Sequence, residues 1–142
     1  MTANPRPLVL LPVDGSESSA RAAEYCAWFA RATGGRVLVL NVQPEFKDWQ
    51  THGIGQGVAQ EHREDIGREA TAKALETLSG TPHEFLLAAG EPAETIGRIV
   101  DEKGCTAVVM GTRGLGKVSG MLMGSVAMKA FHVVNVPITF IR

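Results

Sequence analysis

Residues 106–125 read TAVVMGTRGLGKVSGMLMGS. The stretch opens on a short apolar run, Thr106 to Met110, the signature of a buried strand. It then takes glycine at 111, 114, 116, 120 and 124. A helix is expected from Ser125 to about Val134, and it leads to a last strand, Ile138 to Ile141. The same alternation extends toward the N-terminus. Leu8 to Val13 reads as a first strand that stops at Asp14-Gly15-Ser16. Ser16 or Ser18 can cap the helix that follows. There Ala22, Cys26, Phe29 and Ala30 recur at three- and four-residue spacing until Gly34-Gly35 ends the pattern. Arg36 to Val42 is a second strand. Gln43 to Gly57 is long for a connection and predicts a lid or partial helix. Val58 to Leu78 predicts a long helix with the apolar stripe Ala59, Ile66, Ala70 and Ala74. Glu84 to Ala89 is a third strand, and Gly90-Glu91-Pro92 turns the chain, with Pro92 suited to a first helical position. Ala93, Ile96 and Val100 form the inner face of that helix, which Gly104 closes. Strand and helix alternate throughout. One α/β domain over residues 1–142 is expected, with a parallel sheet covered by helices on both faces.

Composition sets the limits. Of 142 residues, 44% are apolar and 20% charged, ordinary values for a folded protein. The formal net charge of -1 gives no polybasic footprint for nucleic acid or anionic lipid. No apolar run approaches the roughly 20 residues needed to span a membrane. Met1 to Pro7 lacks the apolar core of a signal peptide, so a cytoplasmic location is expected. Cys26 falls on a helix stripe and Cys105 precedes an apolar run, which predicts two small buried thiols. His52, His62, His83 and His132 show no pair at i, i+4 and no H-E-x-x-H, so no metal site built by the protein alone is expected.

The glycine-rich stretch carries the chemistry. Glycines let backbone approach a ligand closely, and successive N–H groups in such a loop form an anion-binding nest. The helix start at Gly124-Ser125 adds free N–H groups and the positive end of a dipole. Phosphate is the natural guest. Gly111 to Lys117 fits G-x-x-x-x-G-K, but Val118 stands where a P-loop needs Ser or Thr for magnesium. Gly114-x-Gly116 begins a dinucleotide fingerprint that fails at Ser119.

Gly111, Gly114, Gly124 and Ser125 do satisfy G-x2-G-x9-G-S. This resembles the nucleotide-binding signature of the universal stress protein family. Val13-Asp14-Gly15-Ser16, Gly90-Glu91-Pro92-Ala93, Val108-Val109-Met110-Gly111 and Val136-Pro137-Ile138 resemble further family segments in the right order. The resemblance implies a Rossmann-like five-stranded parallel sheet ordered 3-2-1-4-5, with an adenine-nucleotide site where strands one and four diverge. It implies that Pro12, Val13, Asp14 and Ser16 border the site from strand one. Asp14 and the Val13 backbone would read adenine and ribose, and Val42 would pack on the base. Met110, Gly111, Arg113 and Gly114 would border the ribose and α-phosphate. Gly124, Ser125 and Val126 would hold the outer phosphates, with Lys117 a further phosphate contact. The chain departs from the family pattern at Asn41, where histidine is frequent.

The ligand implied is ATP, or ADP or AMP, with magnesium or manganese able to arrive alongside. A base for water attack would be a carboxylate, His or Gln beside the phosphates. The loop offers Arg113, Lys117 and Ser119 instead. A regulatory nucleotide-binding protein of the stress response with slow or no hydrolysis is therefore expected. The alternatives are a low-turnover ATPase or phosphotransferase, and a dimeric interaction module without nucleotide. The strand Ile138 to Ile141, apolar on both faces and at the sheet edge, predicts a homodimer by pairing with its own copy, with Thr139 as a central ladder donor.

Overall fold

A computed structural model describes residues 6–45, 55–114 and 123–142. Nine elements follow one another: β1 (Leu8–Pro12), α1 (Glu17–Thr33), β2 (Arg36–Gln43), α2 (Gln56–Thr77), β3 (His83–Ala89), α3 (Pro92–Lys103), β4 (Ala107–Gly111), α4 (Ser125–Val133) and β5 (Ile138–Ile141). All strand pairs are parallel, in the order β3-β2-β1-β4-β5. Every strand and helix expected from the sequence is present, with ends shifted by a residue or two. Most of the long connection after β2, residues 46–54, lies outside the described residues.

The central strands are apolar on both faces because both are covered. Val9, Leu11, Val37, Val39 and Val109 pack with Ala22, Cys26 and Ala30 of α1 and Ala74 of α2. Leu10, Leu38, Leu40, Val108 and Met110 pack with Ile96 and Val100 of α3 and with Ala127 and Ala130 of α4. Both thiols are buried and unpaired. Burial pushes the Cys26 thiol up to about 12. It raises Cys105 too, against the opposing charge of Arg36.

Of the stripe expected on α2, Ala74 is buried and Ala70 lies against Gly15, but Ile66 is out of phase. Ile66 is 38% exposed, while Thr71, Ala74 and Leu78 are buried. Gly67 sets the phase. A Cβ there would lie 2.9 Å from Leu87 Cδ1 and 3.3 Å from Asn41 Oδ1, so the helix rests on the sheet through a residue without a side chain. Thr71 tolerates burial because its hydroxyl donates to Gly67 O at 2.6 Å. Gly67 and Thr71 face inward, and Ile66 faces out.

Backbone directions decide what lies open. Leu8 O accepts from Thr106 N–H at 2.8 Å, so even-numbered residues of β1 turn their backbone groups to β4. Pro12 shares that direction and has no N–H to give. The β1–β4 register covers Val9↔Ala107 and Leu10↔Val108, whereas β1–β2 runs on to Pro12↔Leu40. Beyond Leu10 the two middle strands part. On β5, Pro137 O accepts from Val108 N–H and Ile141 O from Thr112 N–H, so odd-numbered residues face β4. Thr139 therefore bonds inward, contrary to the expectation for it. The backbone groups of Ile138 and Phe140 face the open edge.

Candidate functional site

Two turns meet where β1 and β4 part. The first is Val13 to Ser16. Val13 N–H donates to Leu40 O at 2.8 Å, which carries the β1–β2 ladder one residue past the strand. Asp14 Oδ1 accepts from Ser16 N–H at 2.9 Å, an Asx turn, and Gly15 takes φ +90°, a conformation open to glycine. Ser16 then caps α1, its hydroxyl accepting from Ser19 N–H at 3.2 Å.

The second turn leaves β4 at Gly111. The Arg113 carbonyl accepts from Ser18 Oγ at 2.6 Å and from Ser16 Oγ at 3.3 Å. These bonds clasp the start of the glycine stretch to the N-terminus of α1. Gly111 lies so close beneath that clasp that a Cβ would come within 2.2 Å of Ser18 Oγ and 2.9 Å of the Ser18 carbonyl carbon. A Cβ on Gly114 would lie 3.0 Å from Asp14 Oδ2. Asp14 and Gly114, a hundred positions apart in the chain, thus face each other across the crevice.

The far end of the glycine stretch returns to the same place. Gly124 N–H donates to Thr112 O at 2.6 Å, and a Cβ on Gly124 would sit 3.6 Å from Arg113 Cα and from Gly114 N. Gly124 is the N-cap of α4 and gives it no side-chain cap bond. The first-turn N–H groups of Ser125 and Val126 have no acceptor within the helix by geometry. With Gly124 N–H already bonded, these two and the exposed Ser125 hydroxyl are donors that the described residues offer to an anion. Thr112 is 6% exposed, and its hydroxyl has no partner among the described residues.

Of the other sequence candidates, Pro12 closes β1, while Val42 and Met110 pack on the α3–α4 side of the sheet. The Arg113 side chain is exposed. Lys117 lies outside the described residues. Lys129, on the second turn of α4, pairs with Glu91 at 3.2 Å and Glu94 at 3.3 Å, which raises its pKa and ties α4 to α3. Burial works to raise the Glu91 carboxyl, but the N–H groups of Glu94 and Ala93 and the Lys129 ammonium outweigh it and lower its pKa. Among the described residues no cluster of three or more His, Cys, Asp or Glu is placed to hold a metal, and no helix is long and apolar enough to cross a membrane.

Sequence reasoning offered Ser18 only as an alternative helix cap and left Asn41 only as a departure. Asn41 is buried, its Nδ2 donating to Val13 O at 2.8 Å. One polar residue within the apolar run of β2 was the signal for it.

The sequence profile of the universal stress protein family matches residues 7–142. The chain belongs to that family. A universal stress protein from Thermus aquaticus is 33% identical over 138 residues, covering 94% of this chain and 97% of the relative. Among solved structures, the universal stress protein UspA from Lactobacillus plantarum superposes with a TM-score of 0.81 at 16% identity, over 99% of this chain and all of that one. The universal stress protein from Archaeoglobus fulgidus, solved in complex with dAMP, gives a TM-score of 0.63 at 25% identity over 96% and 97% of the two chains.

The clasp over Gly111 yields a stability prediction. Gly111→Ala forces Cβ against the Ser18 backbone and is expected to cost about 1–3 kcal/mol. Gly124→Ala meets nothing nearer than 3.4 Å and is expected to cost under about 1 kcal/mol. Urea unfolding measures both, and equal costs would contradict the close approach at Gly111.

Proposed function

We propose that the crevice between β1 and β4 binds an adenine nucleotide, ATP in the first instance, with ADP and AMP as lesser forms of the same ligand. The observation that carries this reading is the meeting of Asp14, Gly114 and the uncapped start of α4 at one sheet end. Sheets that reverse strand order bind ligands at such a crevice. Residues Pro12 to Ser16 and Val42 would take the base and ribose, with Met110, Gly111, Arg113 and Gly114 bordering the ribose and α-phosphate. Gly124, Ser125 and Val126 would take the outer phosphates, with Lys117 as a further contact. The dAMP complex of the Archaeoglobus relative supports an adenine ligand. A magnesium or manganese ion would come with the nucleotide.

Among the described residues the phosphate end offers Arg113, Gly114, Ser125 and Val126, none of them a base for water attack. Asp14 stands at the ribose end with one oxygen bonded to Ser16 N–H. The role proposed is therefore regulatory, a stress-response protein that holds nucleotide and turns it over slowly or not at all. Two buried, unpaired thiols suit a reducing compartment such as the cytoplasm.

The partner proposed is a second copy. Arg21 Nε donates to Arg142 O, which turns that flank of α1 toward the end of β5. Tyr25 and Trp28, one and two turns further on, share the flank, their rings 5.6 Å apart and Trp28 57% exposed. On the opposite layer, Lys129 and Val133 of α4 meet α3, which leaves Met128 and the 64% exposed Phe131 on the outer side. An open strand edge between two apolar flanks suits a two-fold antiparallel pairing through Ile138 and Phe140.

Calorimetry tests the ligand. ATP should bind more tightly than GTP, because phosphate contacts cannot tell bases apart. Gly124→Val should abolish binding in a folded protein: Gly124 has φ -73°, which valine accepts, and its branches would fill the crevice. Equal affinity for both nucleotides, or full ATP affinity in Gly124→Val, overturns the assignment. Light scattering at micromolar concentration tests the partner. The native chain should be a dimer, and the double variant Trp28→Glu with Phe131→Glu a folded monomer. A native monomer would contradict the edge pairing.

A further inference from the structure

We propose that Asn41 is a positioning residue for the base-side half of the site, an inference that rests on the adenine-nucleotide reading above. Asn41 is 2% exposed, so its bonds are made inside the protein rather than to water. Nδ2 donates to Val13 O at 2.8 Å, and Oδ1 accepts from Gln43 Nε2 at 2.5 Å. The first bond fixes which end of the amide faces Val13, because a carbonyl can only accept. Gly67 of α2 lies against the same oxygen, where a Cβ would stand 3.3 Å away, so the side chain is held from behind as well.

The consequence falls on the turn. Val13 sits just past the end of β1, where regular pairing with β2 runs out at Pro12↔Leu40. Its N–H reaches back to Leu40 O, and its carbonyl is taken by Asn41. Both backbone groups of Val13 are thus tied to β2, one by main chain and one by a side chain that replaces the missing rung. Asp14 is the next residue, so the direction in which its carboxylate enters the crevice depends on that extra rung. Remove the Nδ2 donor and a carbonyl with no solvent-side replacement is left short of a partner. The turn can recover it only by moving. The phosphate half of the site hangs chiefly on other bonds, those of Arg113 O to Ser18 of α1 and of Gly124 N–H to Thr112 O, and neither involves Asn41 or the Val13 turn.

The two halves can be read separately with ATP and inorganic tripolyphosphate. Asn41→Asp keeps the shape and replaces the donor with an acceptor, while Asn41→Leu removes the polar group. Circular dichroism and thermal unfolding select the variants that fold at the measuring temperature. In either folded variant, the ATP dissociation constant should rise about tenfold or more, and that for tripolyphosphate should stay within about twofold of the native chain. A merely structural role would weaken both ligands together, and that result overturns the proposal. ATP affinity within about twofold of native in folded Asn41→Asp overturns it as well. A native chain that binds tripolyphosphate no more weakly than ATP marks a failure of the adenine reading itself, and the proposal falls with it.

Discussion

The Arg113 carbonyl accepts from the hydroxyls of Ser18 and Ser16, and the site depends on that clasp. Ser16 and Ser18, at the start of α1, are separated from Arg113 by about two-thirds of the chain. The strand order brings the turns to neighbouring positions, and the hydroxyls lock them. Without these bonds the glycine stretch would leave β4 with no fixed heading, since glycine itself sets none. With them, Gly114 is directed at Asp14, and Thr112 O is in place to receive Gly124 N–H. A helix start is thereby delivered to the same crevice as a carboxylate from the opposite turn.

Opening the crevice takes a second feature, the proline at the end of β1. A fully apolar strand would go on pairing with β4 and close the gap. Pro12 withholds an N–H on the β4 side, while Val13 goes on bonding to β2. The strand therefore stays attached on one side and detaches on the other. Polarity then differs along the opening. One end carries Asp14 and the other carries helix N–H groups with the positive end of a dipole. A ligand with a neutral, hydrogen-bonding head and an anionic tail matches this gradient, and a nucleotide is such a ligand.

Much of this was legible in the sequence, for identifiable reasons. The alternation of apolar runs with Gly-terminated helices specified the parallel sheet, because a strand buried on both faces reads as a nearly continuous apolar run. The spacing of Gly111, Gly114, Gly124 and Ser125 marked the loop. The outward turn of Ile66 on α2 was not legible: it outranks Gly67 and Thr71 in hydrophobicity, yet a close helix–sheet approach favoured the residue with no side chain. Edge chemistry was not legible either. Whether Thr139 bonds inward or outward depends on its register with β4, which the apolar pattern of β5 does not encode. Asn41 and Ser18 act through partners remote in sequence, so local pattern could flag a buried polar residue without saying what it holds.

The central claim is that one ligand touches both turns at once. Hydrogen–deuterium exchange with and without ATP tests this most directly, because it reports location without altering a residue. Added ATP should slow exchange together in peptides covering residues 12–16, 110–114 and 124–127, and leave β3 and the C-terminal half of α2 unchanged. Protection confined to one of the turns, or centred on a different face of the sheet, would contradict the account.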